Sequence, residues 1–132
     1  MVRINLIPPN ELMDQHLVAE YNEILMLLGY VRKYPQLEDI PEEYTLGKGH
    51  IKFFKNKLLY LQKRHESIKI EMQRRKFRTN KSIDLSEFNS KLINDWDPKP
   101  KDFSIIRDRI NYKLALKPNY YKYFNVVITN KR

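Results

Sequence analysis

The stretch Pro8-Pro-Asn-Glu-Leu-Met-Asp-Gln-His-Leu-Val-Ala-Glu-Tyr-Asn-Glu23 decides how this chain is read. The residues before it look extended through Leu6. Pro8 and Pro9 cannot sit inside a helix, because proline lacks the N–H and clashes with the preceding turn. Asn10 can cap a helix, and Glu11 and Asp14 suit the positive end of its dipole. The spacing predicts a helix from about Glu11 to about Leu28, stopped by Gly29. At about 100° per residue, His16, Ala19, Glu23 and Leu27 share one stripe, beside an apolar stripe of Met13, Leu17, Ile24 and Leu28. Glu23 therefore borders the buried face. A carboxylate there either pairs with a cation or has a chemical role.

The rest of the chain is read from that helix outward. At 132 residues it fits one domain with a real core. With 42% hydrophobic and 31% charged residues it is globular rather than disordered. The absence of cysteine excludes disulfides and thiolate metal sites. The start lacks the pattern of a signal peptide, and the longest apolar run, Ile24 to Tyr30, is too short to span a bilayer. A cytoplasmic protein with no membrane contact is expected. The net charge of +9 points to a polyanionic partner, with nucleic acid ahead of an anionic surface.

Residues 35–49 read as a loop carrying Glu38, Asp39, Glu42 and Glu43, closed by Gly47 and Gly49. The glycine pair fits a tight turn, with phosphate binding as the sharper alternative. A second helix is predicted from about Gly49 to Arg75 or Phe77. Ile51, Phe54, Leu58, Leu61, His65, Ile68 and Met72 line its core face. Eleven Lys and Arg against two Glu fall between Ile51 and Lys81; most fit a solvated helix face, but Arg74-Arg75-Lys76 with Arg78 and Lys81 is dense enough to propose phosphate contact. Residues 78–101 are polar and irregular, with a helical turn expected between Leu85 and Leu92 and Trp96 as a lid on the core. A third helix runs from near Asp102 to Pro118, with Ile106, Ile110 and Leu114 on one edge and Arg109, Lys113 and Lys117 on the next. Tyr120-Tyr-Lys-Tyr-Phe124 shows no clean alternation, so no strand is expected there. Its rings either pack the C-terminal arm onto the core or, at Tyr121 and Lys122, contact nucleotides. The tail from Asn125 to Arg132 is apolar enough to dock through Val126, Val127 and Ile128.

Phosphate-loop, dinucleotide, serine-hydrolase and zinc-helix motifs are all missing, and His16, His50 and His65 lack ligand spacing, so neither cofactor nor metal is expected. What the chain does carry is Arg3-Ile-Asn-Leu6, Glu11-Leu12, Asp14-Gln-His-Leu17 and Ala19-Glu-Tyr-Asn-Glu23. Leu46-Gly-Lys-Gly-His50, Phe53-Phe54, Lys57 and Lys63-Arg64 follow, then Arg109, Lys113, Pro118 and Tyr121-Lys-Tyr123. In order and spacing these residues resemble the pyrimidine-dimer DNA glycosylase/AP lyase family, the phage-type endonuclease V. The resemblance covers nearly the whole chain apart from residues 30–44 and 78–100.

That resemblance implies an all-α fold, a single compact domain of three main helices with the N-terminal segment threaded between them. It implies excision of ultraviolet photoproducts from double-stranded damaged DNA by a monomer. The nucleophile would be the α-amine of Val2, bared by loss of the initiator methionine, with Glu23 as the acid/base residue. The family kinks the duplex and turns out the base opposite the lesion. Arg3, Arg109 and Lys113 fall on its basic positions, Gln15 on a residue near the turned-out nucleotide, and Tyr121 and Lys122 on its C-terminal part. His16 either lines the site or is a satisfied structural histidine. Three positions depart from the pattern: Val2 stands for threonine, and Asn22 and Met26 for arginines. Asn22 can still donate to DNA, Met26 cannot, and Lys48 or Lys52 would have to compensate. Two alternatives remain, an AP lyase with altered lesion preference and a non-catalytic DNA-binding module.

Overall fold

The computed structural model describes residues 2–127. Its elements are helices α1 (Asp14–Lys33), α2 (His50–Phe54), α3 (Leu58–Arg74) and α4 (Pro100–Leu116), then a minimal antiparallel hairpin, β1 (Lys122–Tyr123) and β2 (Val126–Val127). The expected all-α domain with three long helices is what is found, with α2 as a short fourth. Among the described residues, no helix is long and apolar enough to cross a membrane.

α1 starts and ends later than its caps predict. Residues Pro9–Glu11 form a separate 3-10 turn, and the helix begins behind Met13, so Asn10 caps nothing. Gly29 does not stop it. The penalty for a helical glycine is only about 1 kcal/mol, and Leu27 and Leu28 before it and Val31 after it are all buried. The stop comes at Tyr34, whose successor Pro35 disfavours helical backbone.

The predicted second helix is two helices. The chain bends through Lys55–Lys57, and the Lys57 ammonium donates to Phe53 O, a carbonyl near the break, at 2.9 Å. The bend lets Phe53 and Phe54 face inward together with Leu58 and Leu61, all at most 1% exposed. Tyr44 and Trp96 close this aromatic cluster, so Trp96 caps the core as expected. α4 opens at Pro100, and the Asp102 carboxylate accepts the Lys99 N–H at 2.8 Å. The turn expected between Leu85 and Leu92 is a 3-10 turn at Ser90–Leu92.

The hairpin contradicts the expectation of no strand. Two central residues, Phe124 (φ 51°) and Asn125 (φ 64°), turn the chain in the left-handed region that tight hairpins need. Lys122 pairs with Val127 and Tyr123 with Val126. Ile128 and the residues after it lie outside the described residues. α1 packs on α3. Val2, Ile4, Leu6 and Ile7 of the N-terminal segment are buried in the same core, with Ile4 fully covered.

Candidate active site

The N-terminal segment is held by side chains from several elements. Glu23 on α1 accepts the Arg3 N–H at Oε1, 2.7 Å away. His50 on α2 accepts the Ile4 N–H at Nε2 (2.8 Å), and the Tyr44 hydroxyl donates to Ile4 O (2.9 Å). Glu20 accepts the Asn5 N–H at 3.2 Å. Arg64 on α3 donates to Leu6 O and Ile7 O at 3.0 and 2.6 Å.

Beside this segment lies a cleft of about 200 Å³ between α1 and α4. Arg3, His16, Glu20, Glu23, Arg109, Lys113 and Tyr121 are among its walls. Helical spacing explains the grouping. His16, Glu20 and Glu23 sit one turn apart on α1, and Arg109 and Lys113 one turn apart on α4. Tyr121 arrives from the hairpin, with its ring 4.8 Å from that of His16.

Burial sets the protonation chemistry. It raises the Glu23 carboxyl above the ordinary range, against the Arg3 N–H bond, which favours the charged form. Burial and then the Arg109 charge lower the His16 imidazole and the Arg3 guanidinium. Among the described residues, His16 Nδ1 has no hydrogen-bond partner. A half-buried carboxyl with raised proton affinity, beside Arg3, Arg109 and Lys113, is suited to take up and release a proton in a cleft that can also face an anion.

The residues singled out from the sequence divide accordingly. Arg3, His16, Glu23, Arg109, Lys113 and Tyr121 converge on the cleft. Val2 is buried beside it, one residue from the Glu23 bond. Gln15 binds the hairpin instead: its amide donates to Tyr120 O (2.9 Å) and accepts from Lys122 N (3.0 Å). Asn22 is exposed and donates to Val18 O, and Lys122 is exposed on the hairpin. The proposed phosphate role of Arg74-Arg75-Lys76 fails at its centre. Arg75 is 3% exposed and bonded to Glu71 and Asp14, and Arg74 pairs with Glu71. Sequence reasoning missed Glu20, although it lies one turn from both His16 and Glu23. It also passed over Asn5, Arg64 and His50 as site-builders, since their contacts join residues far apart in sequence.

The family model for pyrimidine dimer DNA glycosylases matches residues 1–85, more than half of the chain. The chain belongs to the pyrimidine dimer DNA glycosylase family. Membership makes DNA the substrate and glycosylase action on pyrimidine dimers the activity. The match takes in the threaded segment, α1, α2 and α3, and thus Glu23, Glu20, His50 and Arg64. Arg109, Lys113 and Tyr121 lie beyond it, and they join the site through the fold.

Proposed function

We propose that this glycosylase works through the α-amine of Val2, freed by removal of Met1, with Glu23 as its acid/base partner, and that it also cleaves the abasic strand. The observation that carries this reading is the 2.7 Å bond from Arg3 N–H to Glu23. One residue of backbone separates Val2 N from Arg3 N, so backbone dimensions place the amine within about 6 Å of the carboxylate.

An α-amine has a pKa of about 8, against about 10.4 for lysine, so roughly a tenth is neutral at pH 7. Its lone pair attacks C1′ of the lesion sugar. The C1′–base bond breaks, and its electron pair leaves with the base, which takes a proton. The sugar ring then opens, O4′ gains a proton, and C1′ becomes an iminium. That iminium acidifies C2′–H. Glu23 removes the C2′ proton, the C1′=C2′ enamine forms, and its electrons expel the 3′ phosphate. Water finally hydrolyses the conjugated imine and restores the amine. While positive charge builds on the sugar, the Glu23 carboxylate stabilises it.

Arg3, Arg109 and Lys113 suit phosphates flanking the lesion in a bent duplex, and His16 and Tyr121 the nucleotide between them. Gln15 and Lys122 would act through the hairpin they belong to, and Asn22 as an exposed donor at the rim. A monomer suffices, since one chain supplies every group named. One observation favours a narrower reading, an abasic-site lyase with altered lesion preference. Asn22 and Met26 are both exposed on α1 beside Glu23, and Met26 is 58% exposed, so two rim positions bring no cation.

The test is borohydride trapping on abasic and cyclobutane-dimer duplexes, after mass spectrometry of the intact protein. The expected result is a covalent adduct mapped to Val2, lost when the terminus is acetylated or Met1 is retained. An adduct on a lysine would reassign the nucleophile. DNA binding with no adduct from a trimmed terminus would leave a non-catalytic binding module.

A further inference from the structure

An amine at the end of a chain has to be aimed as well as freed. The segment that carries it is extended, yet its main chain is bonded to side chains rather than to a second strand. It ends in a turn at Leu6, where φ is +60° and the Ile7 N–H returns to Asn5 O. A bulky L-residue in the left-handed region is strained by about 1 kcal/mol or more, and it persists only where the surroundings fix it.

Two side chains surround that turn. Arg64 Nη1 donates to both Leu6 O and Ile7 O, at 3.0 and 2.6 Å. Its Nε and Nη2 donate to the two oxygens of Glu20, at 2.7 and 3.1 Å. Glu20 Oε1 also accepts the Asn5 side-chain amide at 2.9 Å, on the cleft side of the same turn. Both members of the pair are buried, at 6% and 0% side-chain exposure. A buried ion pair of this kind contributes little net stability beyond what well-packed apolar residues would give. What it does supply is geometry, because one planar guanidinium holds two carbonyls and a carboxylate at once. Glu20 also sits on α1 one turn before Glu23, so the clamp and the acid share one rigid element.

We propose that Glu20 and Arg64 are positioning residues, holding the turn at Leu6 so that residues 5 to 2 deliver the amine beside Glu23. This rests on the α-amine reading above. The pair touches no reacting atom, and it acts through the main chain of Asn5, Leu6 and Ile7.

The experiment uses the full chain with its trimmed terminus verified by mass. Single-turnover borohydride trapping on an abasic duplex gives the rate of imine formation, and fluorescence anisotropy without reductant gives Kd. Misplacing a reacting group by about 1 Å can cost on the order of 100-fold. Glu20→Gln and Arg64→Lys are therefore expected to slow trapping by about 10- to 100-fold, with Kd moving much less. Asn5→Ala, which removes only the bond to Glu20 from its own side chain, should give the same split in smaller measure. It decides the matter if the first two variants do not fold. Trapping at the wild-type rate in a folded Glu20→Gln or Asn5→Ala protein would overturn the proposal. So would a loss of rate matched by an equal loss of affinity. Acetylated wild-type protein runs alongside. If it still forms the adduct, the amine reading itself falls, and with it this proposal; if it does not while the variants trap normally, only the clamp is wrong.

Discussion

His50 Nε2 accepts the Ile4 N–H at 2.8 Å, and its Nδ1 lies 2.9 Å from Thr45 O. The two contacts require a neutral ring with its proton on Nδ1. Protonation of Nε2 would set an N–H against the Ile4 N–H and break the hold on the N-terminal segment. Burial accordingly lowers the His50 pKa to about 4. The ring in the unfolded chain takes up its proton near 6.5, before the folded one does. Its contribution to stability is complete above 6.5 and is lost as pH falls to about 4, by up to about 1.4 kcal/mol for each pH unit. Thermal melts of wild type and His50→Gln across that window check this. The variant, which cannot titrate there, should show a shallower acid-side decline; parallel declines would assign the effect to other groups.

Glu23 shifts in the opposite sense. Its raised pKa means that the folded protein holds the proton more tightly than the unfolded chain. That contribution is present below the ordinary glutamate value and disappears as pH rises through the raised one. Glu23→Gln should therefore match wild type in acid and become the more stable of the two toward neutrality, because a Gln oxygen can still accept the Arg3 N–H. DNA affinity should be kept while most turnover is lost. Paired melts at low and neutral pH, with single-turnover cleavage, read both arms. Full turnover in the variant would move the acid/base role elsewhere.

Arg109 and Lys113 project from adjacent turns of α4 into the cleft. Each phosphate contact contributes about 0.9 to the slope of log Kobs against log salt. Arg109→Ala and Lys113→Ala should each weaken binding to damaged and undamaged duplex alike and reduce that slope by about 0.9. Titrations at several salt concentrations measure it. An unchanged slope would place the phosphates on another face.

Asn22 and Met26 invite the reverse experiment. Both side chains are exposed, so arginine fits at either position without disturbing the core. Asn22→Arg and Met26→Arg should tighten duplex binding and steepen the salt slope by about 0.9 each. If the absent cations also shape lesion preference, excision on a dimer duplex should gain more than cleavage at a ready-made abasic site. Equal gains on both would confine the effect to general affinity.

Much of this site was legible because α1 obeys its period. The stripe through His16, Ala19 and Glu23 needs only helical spacing, and it stands on the cleft wall as drawn. The Arg109 and Lys113 edge follows from the same rule. What local pattern could not supply was partnership across the fold. Arg75 in a basic run looks like a phosphate ligand until Asp14, far away in sequence, is found against it at 3.0 Å. Glu20 looks like any helical surface acid until the N-terminal segment covers it completely. The break at Lys55–Lys57 was hidden because residues on both sides keep an apolar face, and periodicity does not register a bend between two helices sharing one core. The hairpin was missed for the opposite reason: two-residue strands are too short to alternate, and their turn is fixed by Asp14 rather than by a glycine.

That last contact carries a prediction of its own. Asp14 Oδ1 accepts from Arg75 Nη1 and from the Phe124 N–H, both at 3.0 Å, and Oδ2 accepts the Asn125 N–H at 2.7 Å. One buried carboxylate thus joins the start of α1, the end of α3 and the turn of the hairpin. Arg75 also stacks under the Tyr123 and Phe124 rings, at 4.5 and 5.0 Å from their centroids. The hairpin in turn holds Tyr121 against His16 at the cleft. Asp14→Asn keeps the shape but removes the charge, leaving Glu71 as the carboxylate on Arg75 and setting an NH2 group against a donor that one Asp14 oxygen now accepts. Charged hydrogen bonds contribute about 1.5–3 kcal/mol each, so a loss of about 2–3 kcal/mol is expected. Hydrogen exchange should show the Phe124 and Asn125 amides opening first, ahead of α1 and α3. Excision at an intact dimer should fall further than cleavage of an abasic strand if Tyr121 contacts the lesion. Amides as protected as in wild type would mean that ring packing alone holds the hairpin, and Tyr121 would then stay in place without Asp14.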